Sequence, residues 1–367
     1  MNFDYNEEQQ LLADSVRRFF TKDYGFEART KIVASKDGLS DTVWATLAEM
    51  GLLGLPLSPD YGGFGGGAVD MMGVMEAAGD ALMVEPYLAT VMSARLLARA
   101  GSNAQKKAIL PAVVEGKLKL AFAHTEKGAR YNLAKIEAQA KKSADGWALT
   151  GEKVVVAGAP SAGKLVVSAS TAAGPSLFLV DAKDATLRPY LTLDETRAAD
   201  VTLAGTRGEL LGAEGGAAPL IEEAVDFATA LICAEAVGAI KFACDTTLEY
   251  LKTRKQFGVP IGAFQALQHR MVDMYICHEQ ARSMACLAAS KVDAPSEEAK
   301  DRARAVSAAK IKIADNCRHV SQEAIQLHGG MGMTEELKVS HTFRRLTMIA
   351  QQFGDADHHL ARFARLG

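Results

Sequence analysis

The sequence has no excess of basic residues, no paired cysteine motif, no long uncharged apolar run and no internal repeat. Its 367 residues carry 41 Lys and Arg against 44 Asp and Glu, a net charge of −3 with both signs interspersed. Nucleic acids and anionic membrane surfaces are recognised through a basic excess, so neither is expected as the main partner. No uncharged run approaches the roughly 18 apolar residues of a membrane-spanning helix, so no span is expected. The start, Met1-Asn2-Phe3-Asp4-Tyr5-Asn6-Glu7-Glu8, is acidic and lacks the basic and apolar regions of a secretory leader. The five cysteines, Cys233, Cys244, Cys277, Cys286 and Cys317, form no CxxC pair. They read as buried free thiols, and a cytoplasmic location is the expectation.

What is present is a 49% hydrophobic fraction beside 23% charge, in a chain long enough for two or three domains. To about residue 117 the pattern is helical. Leu11, Leu12, Val16, Phe19 and Phe20 recur at helical spacing, as do Trp44, Leu47, Met50 and Leu52. Further helices are predicted from about Val69 and about Thr90. Between about Leu118 and Leu211, short β-prone runs alternate with turn residues. They include Leu120 to Ala123, Trp147 to Leu149, Val154 to Val156, Leu165 to Val167 and Leu177 to Val180. This spacing predicts a small antiparallel barrel or sandwich. Gly212 to Gly216 reads as a linker. Four more helices are predicted: Leu220 to about Arg254, about Phe264 to Val292, Glu297 to Gly329, and Glu336 to the end. The expected fold is mainly α with a central β domain. Its divisions are an N-terminal helical domain (1–117), a middle β domain (118–215) and a C-terminal four-helix bundle (216–367).

Two segments carry binding chemistry. Arg254-Lys255-Gln256-Phe257-Gly258 closes a long helix, and Ala263-Phe264-Gln265 opens the next. An arginine fork at a helix end suits phosphate oxygens, and the glutamines and the ring add amide bonds and a stacking face. A solvated helix end with a basic residue near its dipole gives the same residues a plain role. In Gln326-Leu327-His328-Gly329-Gly330-Met331-Gly332, a helix ends in glycines that admit close backbone approach, or simply cap it. Two other patterns lead nowhere. Gly158 to Lys164 fits GxxxxGK, but Leu165 stands where a phosphate loop needs Ser or Thr, and a strand follows. Asp355-Ala356-Asp357-His358-His359 holds adjacent histidines, which point about 100° apart on a helix, so no metal site is expected.

The two binding segments, in this order and about 70 residues apart, resemble the acyl-CoA dehydrogenase family. So do Glu7 to Leu12, Gly51 to Pro56 and Asp60 to Gly63, and the helix–β–helix order. The resemblance spans the whole chain. It implies FAD as cofactor and an acyl-CoA thioester as substrate, with α,β-desaturation as the reaction. By the same resemblance Arg254 and Gln265 reach the FAD pyrophosphate of a neighbouring subunit. Phe257 and Gln256 lie beside it, and Gln326, Gly329 and Gly330 hold the ADP portion. Electron-transfer flavoprotein is the implied acceptor.

The middle-domain motif that cradles the flavin ring is altered here. Thr125 and Glu126 are kept, but Lys127 stands for its proline and Arg130-Tyr131-Asn132 for its Gly-Ser-Asp tail. In Gly151 to Ala157, Val155 replaces the shielding aromatic and Ala157 the hydroxyl residue. The family's catalytic Glu falls, in its two known places, on Phe353 and Ala228. Asp355 and Asp226, each two residues away, are the nearest carboxylates. The chain thus resembles the small subunits of two-chain bacterial members, pimeloyl-CoA dehydrogenase among them. That resemblance implies a heterotetramer whose paralogous partner supplies the Glu and the ring contacts. The alternatives are a self-sufficient homomer with a displaced Asp base, or a non-catalytic structural or acyl-CoA-binding subunit.

Overall fold

The structure is a computed structural model that describes residues 5–143 and 146–367. The chain folds into two compact units that do not follow chain order. Of the described residues, one comprises 5–29, 68–83 and 229–367, the other 30–67, 84–143 and 146–228.

The second unit is built on a closed sheet. It contains helices α3 (Asp41–Glu49), α5 (Tyr87–Ala100) and α6 (Asn103–Val114), the last capped by a Ser102–Gln105 capping box. The strands are β1 (Leu120–Ala123), β2 (Gln139–Ser143), β3 (Gly146–Ala157), β4 (Lys164–Thr171), β5 (Gly174–Asp181), β6 (Thr186–Leu191) and β7 (Arg197–Leu211). Strands β4, β2, β3, β7 and β5 follow one another, and β5 pairs back onto β4, so the ring closes and leaves no free edge among these five. The alternation of apolar and polar residues fills the interior with Leu149, Leu165, Val167, Phe178, Val180, Val201 and Leu203. Two expectations change here. Trp147 to Leu149 and Val154 to Val156 belong to one strand, β3, because Gly151 adopts φ +149° without breaking the ladder. The sheet is also not wholly antiparallel, since β1 runs parallel to β4.

The first unit is helical. It contains α1 (Glu7–Asp23), α4 (Ala68–Ala81), most of α7 (Ala217–Thr253), α8 (Gln265–Val292), α9 (Ala299–His328), α10 (Lys338–Gln351) and α11 (Ala356–Leu366). Helix α2 (Phe26–Ala34) lies at the division between the units. Asn6 and Gln9 form a capping box that starts α1, which buries Ala13, Val16 and Phe20 and leaves Leu11 66% exposed. Helix α7 is long and apolar enough to cross a membrane, but 89% of its most apolar window is buried inside the fold. It is a buried core helix. Glycines set how closely α4 approaches α7. A Cβ on Gly79 would lie 1.9 Å from the Glu235 carbonyl oxygen, and one on Gly238 would lie 1.8 Å from that of Glu76.

The last predicted helix is two. Gln352 leaves the helical region, Phe353 and Gly354 take φ +58° and +123°, and Asp355 caps the new helix α11. A glycine followed by an N-cap aspartate is the local signal for this break.

Candidate functional site

One end of the helical unit gathers the end of α7, the start of α8 and the end of α9. Tyr250, in the last turn of α7, stacks on His328, the last residue of α9, with centroids 4.5 Å apart. Burial lowers the His328 pKa, so the ring is neutral near pH 7, and its Nδ1–H donates to the Ala324 carbonyl at 2.8 Å. Arg270 of α8 pairs with Glu323 of α9 at 2.5 Å. The binding segments read from the sequence therefore leave the same end of the bundle.

Between α7 and α8 the chain forms a hairpin rather than a simple turn. Strand β8 (Lys255–Gln256) pairs with β9 (Val259–Pro260) across Phe257 and Gly258, both with positive φ. That is the two-residue hairpin geometry whose central positions favour Asn and Gly, so a phenylalanine there is strained. Phe257 is 91% exposed and stands edge-on to the Phe264 ring, with centroids 6.1 Å apart. Arg254, Gln256, Gln265, Gln326, Gly329 and Gly330 are all exposed. A Cβ added at Gly329 or Gly330 would meet nothing within 4 Å. Gly329 itself, at φ 59° and ψ −141°, occupies backbone space close to that reserved for glycine. These groups face outward with unobstructed surfaces.

The kept motif residues of the β unit have different roles. Thr125 is exposed, while its carbonyl accepts the Val154 N–H at 2.8 Å. Glu126 is buried and bonds to protein groups. Its carboxylate accepts the N–H groups of Glu137 and Ala138, at 2.6 and 3.1 Å, and the Lys153 ammonium at 2.6 Å. Burial raises the Glu126 pKa, but these donors outweigh it and hold the group ionised, below the usual range. Lys153, fully buried, also donates to Ser168 Oγ and to the His124 carbonyl. His124 is pushed down to about 4, first by burial and then by the Lys153 charge. Two residues on from Lys153, Val155 sits in a β-bulge at φ +53°, 54% exposed, with its N–H held by Tyr190 Oη and Asp200 Oδ1.

The positions considered for a base are differently placed. Phe353 is half-buried at the corner between α10 and α11. Asp355 accepts the His358 N–H at 2.8 Å as the N-cap of α11, so its carboxylate has a structural task. Ala228 and Asp226 are buried in the other unit. His359 donates Nε2–H to the Phe353 carbonyl at 3.1 Å, and its ring stands 88° from that of His358. Lys164, in the GxxxxGK pattern, opens strand β4 and pairs with Asp181, and no helix follows it.

Sequence models of the acyl-CoA dehydrogenase N-terminal, middle and C-terminal domains match residues 6–117, 121–204 and 216–365. The chain belongs to the acyl-CoA dehydrogenase family. It is 32% identical to acyl-CoA dehydrogenase FadE12 of Mycobacterium tuberculosis, over 95% of this chain and 93% of that protein. A variant of the Tcur3481–Tcur3483 steroid ACAD is similar in structure, at 30% identity and TM-score 0.88, covering 98% of this chain and 97% of that one. The ChsE4–ChsE5 complex from Mycobacterium tuberculosis contains a chain at 25% identity and TM-score 0.90, covering 100% and 98%. Flavin-linked oxidation of a CH–CH unit is the chemistry of the acyl-CoA dehydrogenase family. Sequence reading missed two polar cores of this family member, the Glu126–Lys153 pair and the buried Lys310 of α9. Their partners lie 27 and 40 or more residues away, and no local pattern announces them.

Proposed function

We propose that this chain is a subunit of an FAD-dependent acyl-CoA dehydrogenase that desaturates an acyl thioester between its α and β carbons. In this reading it works in a heterotetramer with a paralogous chain, which supplies the catalytic Glu and the contacts to the flavin ring. The observation that carries the reading is the outward hairpin, with Phe257 91% exposed and Arg254 beside it. A strained turn that holds an aromatic ring in solvent is poorly explained by the stability of this chain alone. It is well explained by a ligand or neighbour that covers it.

The residues present fit part of the cofactor. The Arg254 guanidinium suits a pyrophosphate, Gln265 and Gln326 offer amide bonds, and the open faces of Gly329 and Gly330 admit an ADP group. Thr125, bonded through its carbonyl to Val154, offers an exposed hydroxyl. Held by these residues, FAD would supply the acceptor for a hydride from the β carbon. Removal of the α proton needs a carboxylate within reach. Phe353 and Ala228 have none, Asp355 caps a helix, and Asp226 is buried. Two relatives of known structure, the Tcur3481–Tcur3483 steroid ACAD and the ChsE4–ChsE5 complex, are each named for two chains, which supports the two-chain reading. Electron-transfer flavoprotein as acceptor, a cytoplasmic location and the three-domain division at 117/118 and 215/216 belong to the same proposal.

The test is to purify the chain alone and with its paralogue and record the flavin spectrum. The expected result is full FAD occupancy and bleaching by an acyl-CoA only in the mixed complex. A homotetramer of this chain that is fully loaded with FAD and bleached by an acyl-CoA would refute the two-chain reading.

A further inference from the structure

Lys310 lies in the middle of α9 with 0% of its surface exposed, and the carboxylate that acts on its charge is that of Asp355, the cap of α11. Burial lowers its pKa. Its Nζ donates to two carbonyls of one corner, Ala350 at 3.1 Å and Gly354 at 2.6 Å. Charged or neutral, the amine has at least the two N–H donors these acceptors require. A leucine or methionine would fill the same space and leave both carbonyls without a donor.

The corner it meets is strained. Phe353 has φ +58°, a conformation that a bulky residue adopts only where its surroundings hold it. Gly354 has φ +123°, and a Cβ there would lie 2.6 Å from the rings of His358 and His359. Two further buried groups grip the same residues. His359 holds the Phe353 carbonyl, and Arg345 reaches Gln352 Oε1 at 3.3 Å while it forms a twofold pair with Glu235 at 2.6 and 2.8 Å. Of these groups, Lys310 alone bonds on both sides of Phe353, at the last turn of α10 and at the residue that precedes the α11 cap.

We propose that Lys310 is the positioning residue of the α10–α11 corner, holding the half-buried Phe353 in its left-handed conformation and so fixing the place of its side chain. This goes beyond the function above and does not depend on it, because it concerns how this chain alone shapes the corner. It separates two roles for a buried lysine. As filler, its methylene stem alone matters, and methionine replaces it. As a positioning group its N–H donors matter, and their value depends on the strain at Phe353.

The experiment is hydrogen–deuterium exchange on the full chain, in the form that is stable in solution, with Lys310→Met, Phe353→Gly and the double variant. Glycine accepts the left-handed conformation without strain, so it removes what Lys310 must hold. The expected result is exchange at residues 352–356 faster by about tenfold or more in Lys310→Met, with the barrel amides unchanged. In the Phe353→Gly background the same substitution should accelerate exchange much less. Equal acceleration in both backgrounds, or none in either, overturns the proposal. If Lys310→Met does not fold, Lys310→Leu, which likewise carries no donor, replaces it in the same cycle and is read by the same criterion. Loss of FAD binding by the complex would count against the proposed function and leaves this cycle unaffected.

Discussion

Glu126 and Lys153 illustrate how residues retained from a binding motif can serve the fold. Removing one member of a buried ion pair strands the other. Lys153→Met leaves a carboxylate in the barrel with only backbone donors, and the expected loss is about 3–5 kcal/mol in denaturant unfolding. The surface residues behave differently. Arg254→Ala and Gly330→Ala change exposed groups with room around them, so thermal unfolding of the chain should stay within about 0.5 kcal/mol of the parent. FAD content of the complex, measured by flavin absorbance per protein, should fall severalfold in both. Unchanged FAD content in both variants would favour a structural subunit. Asp355→Asn keeps an N-cap acceptor, so both stability and turnover should be preserved if the partner carries the base. Turnover lost with stability intact would make Asp355 a catalytic group.

At the scale of elements, α4 and α7 meet through paired close approaches, Gly79 against Glu235 and Gly238 against Glu76. These contacts are with backbone carbonyls, which cannot rotate away as a side-chain end can. Gly79→Ala and Gly238→Ala should each cost more than about 2 kcal/mol, despite the better intrinsic helix propensity of alanine. A melting temperature unchanged by both would show that the helices can separate freely. The helices themselves are largely legible in the sequence, since the stripe of Ala13, Val16 and Phe20 and the capping box at Asn6 are local signals. The corner at Gln352 to Asp355 is legible only in part, because Gly354 and Asp355 mark the break while the apolar pattern continues on both sides and Lys310 holds it from a helix distant in sequence. The hairpin at Lys255 to Pro260, where the sequence reads as a helix end followed by a turn at Val259 to Gly262, is hidden for a related reason. Its central Phe257 is an unfavoured residue for that conformation.

Across the whole molecule, histidines lowered by burial shape the response to acid, His328 and His358 among them and His124 and His359 most strongly. His124 is lowered to about 4 and His359 to about 3, both first by burial. In the unfolded chain each titrates near 6.5. Between these values the unfolded state binds more protons, so stability is full above about pH 6.5 and falls as pH drops toward 4. Each histidine contributes about 1.4 kcal/mol per pH unit in that window. Unfolding measured from pH 7 to pH 5 should show this slope, and His124→Gln should lessen it. A slope unchanged in that variant would mean that His124 is charged in the fold.

The family, the order of helices and strands, and the exposed segments proposed to bind were set by local sequence. Periodicity, caps and glycines act over a few residues, and Arg254, Gln265, Gln326 and Gly330 lie in segments legible without a structure. Only the tertiary structure decided what the remaining polar residues do. Glu126 became a core ion pair, Asp355 a helix cap and Lys310 the holder of a strained corner. Each of those roles is fixed by burial or by a specific hydrogen-bond partner. Sequence spacing alone reveals neither which polar groups lose contact with water nor which carbonyls they must then satisfy.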